Sequence, residues 1–242
     1  MPTRLVVPCL VLVGCATGTA PSDCATEFAQ SICLDLSAAG SLVAHRSVIE
    51  EEVARTLDAV QSLLTVDDLR ISLIADPTRI IPEVGMGGFN PSGGEVQLFA
   101  DPSLPNLESV LQSELLRQLT HEIHHAMRRR HIGYGSTLLQ AAVSEGLADH
   151  FSIEAAGGGN PPPWALALTS GELVAWIPEV VSRATGTYNH ATWFFGADAS
   201  IPRWTGYSVG FELVRAYLDQ DAARSASALV GEPASSFLPY SP

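Results

Sequence analysis

The sequence predicts an α+β fold, with a small N-terminal sheet, one long helix that carries the polar chemistry, and a mainly helical C-terminal half. Two runs, Arg70 to Ala75 and Glu95 to Ala100, are apolar over strand length and separated by turn residues. Leu111, Leu115, Leu119, Ile123 and Met127 then recur at four-residue spacing, which is a helix stripe. Past Pro161-Pro162-Pro163, which breaks the chain, the patterning is helical again.

Each element has its own signal. Residues 15–40 read as a tether and irregular lead-in, and 41–240 as one domain without internal repeats. Ser41 to Leu64 reads as an amphipathic helix with Val43, Val48, Val53, Leu57, Val60 and Leu64 on its apolar side. The glycine-rich stretch Gly85 to Gly94 reads as a turn between the two strands. Pro105-Asn106 starts the central helix, and Arg128 to Arg130 sit where a helix C-terminus favours cations. Thr137 and Gln140 form a capping box for the next helix; Leu139, Val143, Leu147 and Phe151 mark its core stripe, and Gly157 to Gly159 end it. Gly206 to Gln220 is a further helix whose Gly206 and Gly210 permit close packing.

The central helix carries His121-Glu122-Ile123-His124-His125. A step of four residues leaves His121 and His125 about 40° apart and one turn along, so both imidazoles reach one tetrahedral ion. Glu122 is rotated about 100° from His121, beside the ion. A carboxylate there takes a proton from an attacking water and returns it to a leaving group.

Such a site needs a third protein ligand, and two places supply one. His131 stands at the metzincin spacing, but Arg128 replaces the glycine that lets such a chain turn, and no methionine follows Met127. The better choice is Glu145, 20 residues after His125 on the next helix. Small neighbours Ala141, Ala142, Gly146 and Ala148 let the two helices approach. Asp149, one turn beyond Glu145, can accept the outer N–H of His121, or else is an ordinary exposed helix carboxylate. His45, His124 and His150 read as surface groups or as partners of the ligands.

The pattern HExxH…ExxxD resembles the gluzincin metallopeptidases, the class of thermolysin. A longer set of blocks, His121 to His125, Gly133-Tyr134-Gly135, Ser144 to Phe151 and Trp204 to Gly210, resembles a narrower group of predicted zinc-dependent proteases, domain of unknown function 2268. The resemblance covers roughly residues 65 to 220 and implies a zincin-like fold with one Zn²⁺ per chain. In gluzincins the strand just before the active-site helix forms the upper rim of the cleft and pairs with extended substrate. Val96 to Ala100 is the matching segment, and the glycines before it either admit a ligand backbone or form a plain hairpin loop. The resemblance also implies a tyrosine or histidine that donates to the oxyanion, a contribution of about 3 kcal/mol. Tyr207 and His190 are the candidates, with Tyr188 third. Trp193, Phe194 and Phe195 line a specificity pocket or belong to the core.

The front of the chain suggests where the protein works. Arg4, the apolar run Leu5 to Val13 and the sequence Leu12-Val13-Gly14-Cys15 resemble a bacterial lipoprotein signal over residues 1–14, with Cys15 lipidated. Ala16 resembles the outer-membrane sorting pattern, so the expectation is an exported protein held in the cell envelope by lipid alone. A secretory signal cut near Ala20, or a misplaced start, are the alternatives. Cys24 and Cys33 are then the cysteines left to pair in an oxidising compartment. With 46% hydrophobic and 16% charged residues the composition is globular, and the net charge of −13 argues against nucleic acid as a partner. The expected function is a zinc-dependent hydrolase of the bacterial cell envelope, a peptidase acting on peptide or protein with Glu122 as base. The alternative is a non-catalytic or non-peptide-acting zincin-fold lipoprotein that binds a partner.

Overall fold

The computed structural model describes residues 24–240, so the signal-like segment 1–14 and Cys15 lie outside the described residues. Its elements are β1 (Cys24–Phe28), β2 (Ile32–Asp35), α1 (Arg46–Gln61), β3 (Leu69–Ala75), β4 (Met86–Ser92), β5 (Glu95–Ala100), α2 (Leu107–His131), α3 (Leu138–Ala155), α4 (Ser170–Ser182), α5 (His190–Phe194) and α6 (Thr205–Leu218). The sheet runs β1-β2-β3-β5-β4. The crossover helix α1 lets β2 and β3 lie parallel, with Ile32 opposite Leu69; β5 adds to β3 in parallel with Arg70 opposite Glu95. β1 and β4 close the two edges as antiparallel strands.

Three sequence expectations are corrected here. The stretch read as tether up to residue 40 contributes two strands from Cys24 onward. Ile32 and Leu34 are fully buried in the sheet, and burying side chains of this size is worth about 1.5–3 kcal/mol each. A disulfide joins Cys24 to Cys33 across this hairpin, with Cα atoms 5.6 Å apart. The helix expected from Ser41 begins at Arg46 after a 3₁₀ turn over Gly40–His45. That tighter winding turns Val43 outward, 45% exposed, while Leu42 and Ile49 take the core positions. The glycine-rich run is mostly a strand, β4, with turns left at Gly85 and at Gly93-Gly94. A β-carbon on Gly87 would lie 2.2 Å from the Arg79 carbonyl, and one on Gly88 2.4 Å from Glu122 Oε1. Tertiary contact, not propensity, makes this segment a strand.

β5 therefore has both edges paired, which overturns Val96 to Ala100 as the cleft rim; the open edge next to the central helix belongs to β4, beyond the bridge of Met86 to Ile81.

One core fills the space between the sheet, α1 and α2, through Val53, Leu57, Ile71, Leu98, Leu115 and Leu119. A second joins α3, α4 and α6 through Val143, Leu147, Val180, Val209 and Leu213. α2 lies between them, covered by the sheet and α1 on one side and by α3 on the other. This coverage buries His124 completely against Phe151, with ring centroids 5.3 Å apart, so it is no surface group. Burial holds its imidazole well below the ordinary range, and it is neutral. His150 stacks on Phe211 at 4.0 Å and bonds that residue's carbonyl, and half-buried His45 faces Glu108. Among the described residues no helix is long and apolar enough to cross a membrane.

Candidate active site

Helix α2 presents His121, Glu122 and His125 toward α3, which answers with Glu145 and Asp149; all five are at most 7% exposed. The α3 N-terminus is fixed by the capping box of Thr137 and Gln140 expected from sequence. His121 Nε2 lies 3.0 Å from His125 Nε2 and 3.0 Å from Glu145 Oε2, and His125 Nε2 is 3.3 Å from the same oxygen. A tetrahedral Zn²⁺ with bonds of about 2.0–2.2 Å sets its ligand atoms about 3.3–3.5 Å apart. Two imidazole nitrogens and one carboxylate oxygen at this spacing are a fitting donor set. His131 is exposed at the end of α2 and does not join them.

The surroundings orient these donors. Asp149 Oδ1 accepts from His121 Nδ1 at 2.9 Å, which leaves the Nε2 lone pair for the cluster. Asp149 is itself held by Trp164 Nε1, 3.0 and 3.1 Å from its two oxygens, a partner that sequence reasoning missed. Tyr134 is the second miss. Its hydroxyl donates to Glu145 Oε1, turning the other oxygen toward the histidines, and its ring meets the His125 ring edge-on at 5.3 Å. The block Gly133-Tyr134-Gly135 was its sequence signal.

The charges follow from the packing. Burial opposes ionisation of Glu145, yet the His125 charge and hydrogen bonds from both histidines hold its carboxyl well below the usual range. Burial likewise disfavours a charged His121, but Asp149 and Glu145 more than offset it and raise its pKa. Glu122 differs: burial dominates and pushes its carboxyl up, against the pull of His121 and His125. It stands against Gly88 of β4 without joining the three donors.

Above these groups lies a cleft of about 260 Å³ whose lining includes Gly88, Phe89 and Asn90 of β4 on one side and His190, Phe195 and Tyr207 on the other. Both oxyanion candidates thus face the cavity. Tyr207 packs against Phe194 at 5.0 Å, and burial with the nearby carboxylates keeps its phenol protonated. His190 stacks on Phe194 at 4.2 Å, with Nδ1 3.1 Å from the Tyr188 hydroxyl, and burial lowers its pKa. Of the aromatic run, Trp193 and Phe194 are core and Phe195 is at the mouth, 58% exposed.

A family model described as "Predicted Zn-dependent protease", domain of unknown function 2268, matches residues 49–239. The chain belongs to this family. Similar proteins include the uncharacterized protein YjfC of Bacillus subtilis (strain 168), 27% identical over 165 residues, which are 61% of this chain and 52% of that protein. The uncharacterized protein YjaZ of the same strain is 31% identical over 127 residues, 50% of this chain and 48% of that one. The chain therefore spans about half the length of the curated relatives it matches. No solved structure matches it. The family is described as zinc-dependent, and His121, His125 and Glu145 form a possible metal site consistent with that; among the described residues, one five-stranded sheet with six α-helices agrees with an α+β class.

Removing the Tyr134 hydroxyl tests the orienting bond. Tyr134→Phe should weaken zinc binding about 10- to 100-fold, read by competition against a chromophoric chelator. An unchanged affinity would mean that Glu145 holds its orientation without help.

Proposed function

We propose that this protein is a zinc-dependent peptidase of gluzincin type, exported and lipid-anchored in the cell envelope. The observation that carries the reading is the convergence of His121 Nε2, His125 Nε2 and Glu145 Oε2 at 3.0–3.3 Å with Glu122 beside them on the cleft floor. A Zn²⁺ held by these residues would supply Lewis-acid polarisation of a water and of the scissile carbonyl. Glu122, with its pKa raised by burial, accepts the proton of the attacking water and passes it to the leaving amine. Tyr207 or His190 donates to the developing oxyanion. The edge of β4 past the Ile81–Met86 bridge, with Gly88 leaving room for Glu122, accepts an extended substrate backbone as an added strand.

The Cys24–Cys33 bond supports an oxidising compartment, and the −13 charge leaves membrane attachment to the lipid. The test begins with the soluble chain from Ala16, purified without added metal or chelator. One zinc per chain by elemental mass spectrometry, lost in His125→Ala, together with cleavage of a peptide library, is the expected result. Failure to take up Zn²⁺ sinks the hydrolase reading; zinc and peptide binding without cleavage points to the partner-binding alternative.

A further inference from the structure

Three consecutive arginines end α2, each rotated about 100° from the last, and they go to three different places. Arg128 is buried and spends its donors on Ser144 Oγ at 3.0 Å and on the carbonyls of Val230 and Glu232 at 3.0 and 2.9 Å. Arg130 is tied to Asp67 and to the Gly93 carbonyl, each at 2.6 Å. Arg129 lines the cleft. Its Nε donates to Asn90 Oδ1 at 2.6 Å, and its guanidinium lies 5.4 Å from the centre of the Tyr134 ring. Among the described residues it forms no ion pair, although Asp and Glu outnumber Lys and Arg by 26 to 13 in this chain.

This cation is also held in place. Asn90 is buried on β4, and its amide is fixed by the carbonyls of Ser92 and Glu95 at 2.5 and 2.7 Å, so its oxygen is aimed at Arg129. With Nε anchored, the terminal N–H groups form an oriented fork of the kind that grips a carboxylate by two parallel bonds. Arg129 is one turn beyond His125, about 6 Å along the helix axis, and a peptide advances about 3.3–3.6 Å per residue. A carboxylate on that fork would therefore sit one or two residues from the bond at the metal donors. Phe89 and Phe195, 46% and 58% exposed, offer apolar contact at the mouth of the same cleft.

We propose that Arg129 is a specificity-determining residue that binds a carboxylate of the peptide substrate, carried either by a free C-terminus or by an acidic side chain. The peptide nature of the ligand rests on the peptidase reading above. Its test is designed to separate the two. Zinc-loaded protein carrying Glu122→Gln is titrated calorimetrically with N-acetylated peptides in matched pairs, one pair ending in acid or amide and one carrying internal Glu or Gln. Cleavage of the same peptides is followed with Glu122 intact.

One pair should show a preference for the carboxylate of about 10- to 100-fold, and which pair it is identifies the source. Arg129→Gln should bring that ratio close to one, and Arg129→Lys, with charge but no fork, should restore it in part; thermal melts of both variants confirm folding. Equal binding within both pairs, or a preference that survives Arg129→Gln, overturns the proposal. Cleavage without carboxylate preference removes the role of Arg129 and keeps the peptidase. Carboxylate preference without cleavage keeps Arg129 and removes the peptidase.

Discussion

Glu122→Gln should leave one zinc per chain and lower peptide turnover by about 10²- to 10⁴-fold. The metal stays because Glu122 is not one of the three converging donors, and the amide is close enough in shape to occupy the space beside Gly88. Turnover falls because an amide cannot accept the proton. Unfolding is no competing explanation. Burial raises the folded pKa of Glu122 above its unfolded value, so in the metal-free chain this group favours the fold below the unfolded pKa and that benefit disappears as pH rises through the folded one. The same burial disfavours the ionised carboxylate as pH rises, so the neutral replacement should melt at the same temperature or higher. Elemental mass spectrometry, a thermal melt and a cleavage assay on one preparation decide it; retained turnover would remove Glu122 as the base.

Much of this site was legible because helical spacing converts sequence distance into direction. His121, Glu122 and His125 are neighbours on one helix, and Glu145 and Asp149 are one turn apart on the next, so each helix needed only its own periodicity. The strands β3 and β5 were legible as short apolar runs between turns, and the cap at Thr137 from its capping-box partner Gln140. What failed to show was structure decided at a distance. β2 is four buried residues, Ile32 to Asp35, too short to display a pattern. β4 has a glycine pair that local preference assigns to a turn; its ladder with β5 makes it a strand, and the Arg79 carbonyl and the Glu122 carboxylate pressed against it explain the glycines. Trp164 and Tyr134 reach the site from loops, where no period exists to point at Asp149 or Glu145. His124 was misread because helix spacing gives its direction relative to His125 but not that another helix covers that direction.

The packing of α3 on α6 carries the other large effect. A β-carbon on Gly210 would lie 1.8 Å from the Ala142 carbonyl oxygen, and one on Gly146 would lie 2.2 Å from that of Gly210. Both obstacles are backbone, so no side chain can rotate away, and the helices must separate. Helix propensity alone predicts a gain of about 1 kcal/mol for glycine to alanine inside a helix. Overpacking of a tight core costs about 1–3 kcal/mol and more where backbone must move, so the clash wins and Gly210→Ala should be destabilising. In a chain of this size each kcal/mol lowers the melting temperature by about 2–4 °C, and Gly210→Val should fall further or fail to fold. Gly171, in the first turn of α4 with nothing within 4 Å of its added carbon, is the control and should tolerate alanine. The damage should also reach the metal, because Glu145 adjoins Gly146 and α6 carries Tyr207. Gly210→Ala that folds should therefore bind zinc more weakly than the parent in a chelator competition, while Gly171→Ala binds it equally. An alanine at 210 that raises the melting temperature would mean that α3 and α6 are not in backbone contact, and the placement of Glu145 opposite the histidines would lose its support.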